Sequence, residues 1–196
     1  MSPKHYLIPI LLFAACKSAP ENKAEEKGQY SETSSTIQKG DTLFAVSRTE
    51  FLEYGENIAF INQEGDTIIP FGSYAYFGTD TLVYYANVLE HPNDSTFGKP
   101  VGINAEGQVL FDLYLFDNGP DYFSEGLVRV QQNGKIGYAN QLGEIVIPCK
   151  YAYAGPFEGG QASVTYEGQE YKDGDDHTRV ESDSWFKIDK TGKKVE

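Results

Sequence analysis

Cysteine is nearly absent from this chain, with 2 in 196 residues, at positions 16 and 149. So low a count excludes a disulfide-stapled scaffold. Histidine is also scarce, with His5, His91 and His177 far apart in sequence. No local pair of histidines is available to begin a zinc site of ordinary ligand number. Basic residues number 16 against 29 acids, for a formal net charge of −13. A surface of that sign repels phosphate backbones and anionic lipid, which argues against nucleic acid as a partner. No apolar stripe of helical period extends beyond the N-terminus, so a helical bundle is excluded. Catalytic signatures are missing too: no Gly-x-Ser-x-Gly elbow, no His-Glu-x-x-His, and no phosphate-cradling glycine loop with lysine. The stretch "EGGQASV" is a turn entering a strand, with no helix after it to make a dinucleotide site. No cofactor and no metal centre is implied.

Aromatics and glycines are plentiful, with 14 Tyr, 12 Phe and 20 Gly. Flat aromatic side chains suit a pleated surface, and frequent glycines punctuate short elements. An all-β fold follows.

The N-terminal segment "MSPKHYLIPILLFAACKSAP" has a short basic lead and an apolar run from Leu7 to Ala15. That run is too short to span a bilayer as a helix and suits the apolar region of a secretory signal. The ending Phe13-Ala14-Ala15-Cys16 resembles the lipobox of bacterial lipoproteins. The resemblance implies removal of residues 1–15 and lipidation of Cys16, which would anchor the chain to a membrane of the bacterial cell envelope. Residues 16–40 are polar and rich in Ser, Glu and Lys, the composition of a disordered tether. The folded domain is then expected over 41–196. With Cys16 lipidated, Cys149 has no partner, and a small buried apolar role suits it better than a nucleophile's.

Four segments repeat one pattern of short strand, Asx- and Gly-containing turn, and second short strand. They are "NIAFINQEGDTIIP" (57–70), "KPVGINAEGQVLF" (99–111), "GKIGYANQLGEIVIP" (134–148) and "DSWFKIDKTGKKVE" (183–196), with turn glycines Gly65, Gly107, Gly143 and Gly192. Each reads as a β-hairpin. A preceding strand is expected at "DTLFAV" (41–46), "DTLVYY" (80–85), "EGLVRV" (125–130) and "GQASV" (160–164). Taking Leu43, Leu82, Leu127 and Gln161 as equivalent gives a period of 34 to 45 residues.

The third copy resembles the WG β-repeat family, also called KWG repeats. Gly134, Lys135, Gly137, Tyr138, Gly143, Val146, Pro148, Tyr151, Phe157 and Gly159 match its pattern. Ile136 stands where that pattern has its signature Trp; only the last copy keeps one, Trp185, followed by Phe186 in place of Gly. The second copy is one residue short between Gly102 and Gly107. The expected architecture is an array of about four antiparallel hairpin or three-stranded repeats, forming a curved sheet or open barrel-like roll. One such unit cannot bury its own apolar face, so units must stack. Ile58, Val101, Ile136, Tyr138 and Trp185 are expected in that packing.

The copies differ most in the loop between first and second strands: 47–56, 86–100, 131–135 and 165–184. Loops on a rigid sheet are where function tends to reside. The fourth holds Glu167, Glu170, Asp173, Asp175, Asp176, Glu181 and Asp183, but not at the spacing of a twelve-residue calcium loop. Alternating tyrosines offer a possible ligand-binding rim of Tyr74, Tyr76, Tyr84, Tyr151 and Tyr153, joined by Trp185, since such rows contact sugars and peptides. The expected function is an envelope-anchored, non-catalytic binding or scaffolding module for a protein or glycan. An envelope hydrolase acting on polysaccharide or peptidoglycan through paired carboxylates is the alternative, and structural calcium binding a third.

Overall fold

A computed structural model describes residues 41–90, 97–116, 119–172 and 178–195. The signal segment, Cys16 and the tether lie outside the described residues, as do His91, Asp117, Asp173, Asp175, Asp176 and His177. The described chain is all-β, with no helix among its described residues.

Three strands form each unit. The first has β1 (Leu43–Ser47), β2 (Asn57–Ile61) and β3 (Thr67–Tyr76), followed by the short β4 (Thr81–Leu82). The second has β5 (Ala86–Glu90), β6 (Lys99–Ile103) and β7 (Val109–Leu113), followed by a small hairpin of β8 (Leu115–Phe116) and β9 (Gly119–Pro120). The third has β10 (Leu127–Gln132), β11 (Lys135–Asn140) and β12 (Ile145–Tyr151), then β13 (Tyr153–Ala154). The fourth has β14 (Gln161–Thr165), an inserted hairpin of β15 (Gln169–Lys172) and β16 (Thr178–Glu181), then β17 (Phe186–Asp189) and β18 (Lys194–Val195).

The hairpin turn is the same device four times. The backbone N–H groups of Gly65, Gly107, Gly143 and Gly192 donate to the carbonyls of Asn62, Asn104, Asn140 and Asp189. Each Asx side chain accepts the amide four residues on, at 2.8 Å from Asp66, 2.8 Å from Gln108, 3.0 Å from Glu144 and 3.1 Å from Lys193. All four glycines have positive φ, between 73° and 88°, a region open to glycine at no steric cost. Beyond each of the first three turns one residue bulges, while the fourth hairpin keeps an unbroken register. Phe60 faces Ile69 but Ile61 faces Thr67; Gly102 faces Phe111 but Ile103 faces Val109; Tyr138 faces Ile147 but Ala139 faces Ile145. Ile68, Leu110 and Val146 are therefore the extra residues, at one equivalent position.

This register corrects four expectations, all at the second unit. Leu127 lies opposite Asn140 and Gln161 opposite Asp189; continuing the other two ladders by one residue puts Leu43 opposite Asn62 and Tyr85 opposite Asn104. The equivalent set is Leu43, Tyr85, Leu127 and Gln161, not one containing Leu82. The first strand of the second unit is 86–90, and 80–85 holds only the two-residue β4, which pairs with β1. The loop of that unit accordingly begins after Glu90, not at 86. Nor is the second unit short: Gly102 is the counterpart of Phe60 and Tyr138, five residues before each turn glycine.

Edge pairing of β3 with β5 and of β7 with β10 joins three units into one antiparallel sheet of ten strands, ordered β12-β11-β10-β7-β6-β5-β3-β2-β1-β4. The fourth unit makes a separate sheet, β13-β14-β17-β18, and no described sheet closes into a barrel.

Side chains alternate between faces along a strand. The face bearing Leu43, Ile58 and Phe60 in the first unit packs on the opposite face of the second, at Ala86, Val88, Val101 and Ile103. Leu89 and Phe111 of the second meet Val128, Val130 and Ala139 of the third. Ile136, Tyr138 and Ile147 of the third meet Ala162, Val164 and Ile188 of the fourth. Four units thus share three hydrophobic clusters, one per joint, in the manner of a stacked repeat. A continuous sheet whose one face covers the opposite face of its own next segment must coil, which accounts for the curved architecture. The turn glycines seat on the unit before. A Cβ on Gly107 would touch Ile69 at 3.6 Å, one on Gly143 would crowd Leu110 at 3.0 Å, and one on Gly192 would lie 3.2 Å from Ile147.

Candidate binding surface

Strands β1–β2, β5–β6, β10–β11 and β14–β17 are equivalent hairpins, so the loops joining them emerge from the same end of each unit. In the third unit the loop is a two-residue turn, Asn133-Gly134, with φ of 52° and 69°. Two positive φ values in succession make the tight hairpin turn that matches strand twist. The other three loops are longer and carry exposed aromatics: Phe51, Tyr54, Phe97, Tyr166 and Tyr171, with Trp185 at the foot of the fourth.

The first two loops converge. Tyr54 stacks on Tyr76 with ring centroids 5.9 Å apart and contacts Phe77 at 5.3 Å, and Phe97 meets Phe77 edge-on at 5.8 Å. Phe77 is 2 % exposed and anchors the group, whereas Tyr54 and Phe97 are 62 % and 58 % exposed. The Tyr54 ring lies over the backbone at Gly78, where a Cβ would sit 3.2 Å from the Tyr54 hydroxyl. Tyr76 donates its hydroxyl to Asp80. Burial, reinforced by that bond and the Asp80 charge, pushes the Tyr76 hydroxyl up to about 12. The result is a fixed aromatic patch with two open faces and polar groups beside it, suited to a flat apolar ligand surface with hydroxyls at its edge. A second aromatic group, Tyr151, Tyr166 and Phe186, with centroids 5.4 to 6.2 Å apart, sits on the far side of the third unit.

The six rim residues expected from sequence are distributed among these features and do not form one row. Tyr74 and Tyr151 occupy equivalent places, opposite Ile58 and Ile136. Tyr74 is half-buried and donates its hydroxyl to the Gly107 carbonyl at 2.9 Å, tying the first unit to the turn of the second. Tyr151 is 0 % exposed in the joint between third and fourth units, and so offers no surface to a ligand. Tyr76 supports Tyr54. Tyr153 is half-buried, with its ring close over Gly168. Tyr84 is 57 % exposed ahead of β5, and Trp185 is 41 % exposed. Of the residues expected in packing, Ile58, Val101, Ile136 and Tyr138 are buried and Trp185 is the exception. Tyr54 and Phe97 were not legible as site residues: each is one aromatic in a polar loop, and only the fold brings them to a shared anchor.

The acidic fourth loop folds partly as the β15–β16 hairpin, beside an open cleft of about 470 Å³ lined by Glu167, Tyr171, Glu181 and Asp183 among others. Among the described residues no three acidic, histidine or cysteine side chains converge as a metal would require. Cys149 is half-buried in the joint between second and third units, with Sγ 3.7 Å from the Val130 carbonyl, and burial pushes its thiol up.

The joint between third and fourth units carries the densest polar network. Arg129, 8 % exposed, donates to Asp121 from Nε at 2.8 Å and Nη2 at 2.7 Å, and from Nη1 to the Ala154 carbonyl at 3.1 Å. Its guanidinium lies over the Tyr114 ring at 4.3 Å. Burial opposes the charge, yet the Asp121 bonds outweigh it and hold the Arg129 pKa above its ordinary value. Nearby, Glu125 accepts from the Gly160 amide at 3.0 Å and from Lys190 at 3.0 Å, clamping the connectors of the two units.

Two consecutive stretches, 103–135 and 136–169, match the family described as WG containing repeat. They cover the end of the second unit, all of the third and the first strand of the fourth. No curated protein and no solved structure matches the chain.

Proposed function

We propose that this chain is an envelope-anchored binding or scaffolding module, tethered by lipid on Cys16 and presenting its loop rim to a protein or glycan. The observation that carries the proposal is the Tyr54–Phe97 patch: two open aromatic faces held by a buried Phe77 on a stacked β-repeat. The WG-type repeats over 103–169 support a role as a repeat scaffold. The lipobox-like ending at Cys16 and the polar composition of 17–40 support the anchor.

Exposed aromatics on a rigid base give contact area at little conformational cost, and such residues dominate interface energies. The test uses the full chain and a Tyr54→Ala/Phe97→Ala variant. Each is co-sedimented with purified envelope polysaccharide and peptidoglycan, and each is photo-cross-linked in envelopes from a probe at Phe51. The proposal expects one ligand class to be retained by the parent and lost by at least tenfold in the variant. Equal retention by both chains for every ligand and every cross-link would overturn the patch. Separately, Cys16→Ser should move the chain out of the membrane fraction, and continued membrane residence would overturn the lipid anchor.

A further inference from the structure

The two ends of the stack are not alike. Inside it, every receiving face is covered: Ala86, Val88, Val101 and Ile103 are all 0 % exposed, and Val128, Val130 and Ala139 reach 7 % at most. Among the described residues, no unit packs on the same face of the first. There Phe44 is 37 % exposed, and Val46 and Ile61 are only partly covered. At the other end, the fourth unit turns outward the face that in each earlier unit packs on the next. It carries Gln161, Ser163, Lys187 and Trp185. Trp185 falls seven residues before its turn glycine, as do Ile58 and Ile136, which are 1 % and 3 % exposed in their joints.

We infer that these two ends bind each other between copies of this chain, the Trp185 face of one copy seating on the Phe44 face of the next. The contact continues an interface the molecule already makes three times, outgoing face on receiving face, with an apolar residue at the Ile58 and Ile136 position as the knob. Trp185 supplies that residue here, and Phe44 stands where Ala86 and Val128 are covered in the joints. The contact is heterologous, so it propagates from copy to copy unless it closes a ring.

Sedimentation velocity of the full chain over a concentration series tests this, with two variants, Phe44→Glu and Trp185→Glu, each blocking one end. Both positions are exposed, and circular dichroism with thermal melting confirms that each variant keeps the parent fold. The parent should shift from one-chain mass to a series of higher species with rising concentration. Each variant alone should stay at one-chain mass at the highest concentration. Their equimolar mixture should form a pair and stop there, because one competent contact survives, between the Trp185 end of the Phe44→Glu chain and the Phe44 end of the Trp185→Glu chain. A parent that stays at one-chain mass throughout would overturn the inference. So would a Trp185→Glu chain that assembles like the parent, which would mean that two first-unit ends meet. A mixture that forms no pair would overturn it as well.

Discussion

The joint between second and third units and the joint between third and fourth are built on one register from opposite materials. At the position five residues before the turn glycine, the second unit has Gly102 facing Phe111, and the third has Tyr138 facing Ile147. The ring that fills the joint comes from the third strand in one case and the second strand in the other. A Cβ on Gly102 would lie 2.5 Å from the Phe111 ring, so the absence of a side chain there is the space Phe111 needs. The polar positions invert too. Arg129 of the third unit has its counterpart in Asn87 of the second. Arg129 donates from all three guanidinium nitrogens, whereas the buried Asn87 Oδ1 has no hydrogen-bond partner among the described residues. The repeat therefore conserves a shape and a register and leaves the chemistry of each joint free, which is how four units with little common sequence can stack.

Substitutions at matched positions should separate the two joints, and the largest effect should fall on the buried ion pair. Asp121→Ala leaves the Arg129 charge buried without its partner and should cost about 3–5 kcal/mol, read as a fall in denaturant midpoint. Next, Gly137→Ala drives a Cβ to 2.4 Å from the Ile147 carbonyl and 2.7 Å from the Cys149 amide. Backbone on both sides cannot yield easily, so a loss of about 1–3 kcal/mol is expected. At Gly102→Ala the three nearest atoms all belong to the Phe111 ring, so its cost should shrink when Phe111→Leu is added, measured by the same denaturation. The smallest change is expected at the counterpart of Arg129. Asn87→Ala removes an orphaned acceptor whose burial itself costs about 1–3 kcal/mol. That gain should offset the lost packing and leave the thermal midpoint nearly unmoved.

The Glu125 clamp adds a pH dependence confined to the later joint. The bond from Lys190 is the main cause holding this carboxyl below its ordinary value of 4.5. A carboxyl lowered in the fold contributes stability that is complete above its unfolded value and disappears as pH falls through the folded one. Glu125→Gln should therefore lower the melting temperature at neutral pH and leave it unchanged well below pH 4.5. An equal loss at both pH values would contradict the assignment.

Hairpins were legible in the sequence because their signal is local: an Asx, a glycine three residues later, and strand-forming residues either side. The start of the second unit was not. Leu82 is fully buried beside Leu43, so 80–85 has the apolar pattern of a first strand while serving as a cap on β1. The tyrosine rows misled for a related reason. Alternation shows which residues share a face, and it does not show whether a neighbouring unit covers that face, as it covers Tyr151. Trp185 has the opposite history: its place in the hairpin is that of the buried Ile58 and Ile136, and among the described residues no further unit covers it.

The claim most open to a direct test is that the turn glycines of the second, third and fourth units seat on the preceding unit. A double-mutant cycle on Gly143 examines it, because a Cβ there would crowd Leu110 at 3.0 Å and Tyr85 at 3.1 Å, both in the second unit. In a Leu110→Ala background, Gly143→Ala should cost less than in the parent by about 0.5–3 kcal/mol, while in an Ile188→Val background its cost should match the parent within about 0.5 kcal/mol. The same cost in all three backgrounds would contradict the stacked arrangement.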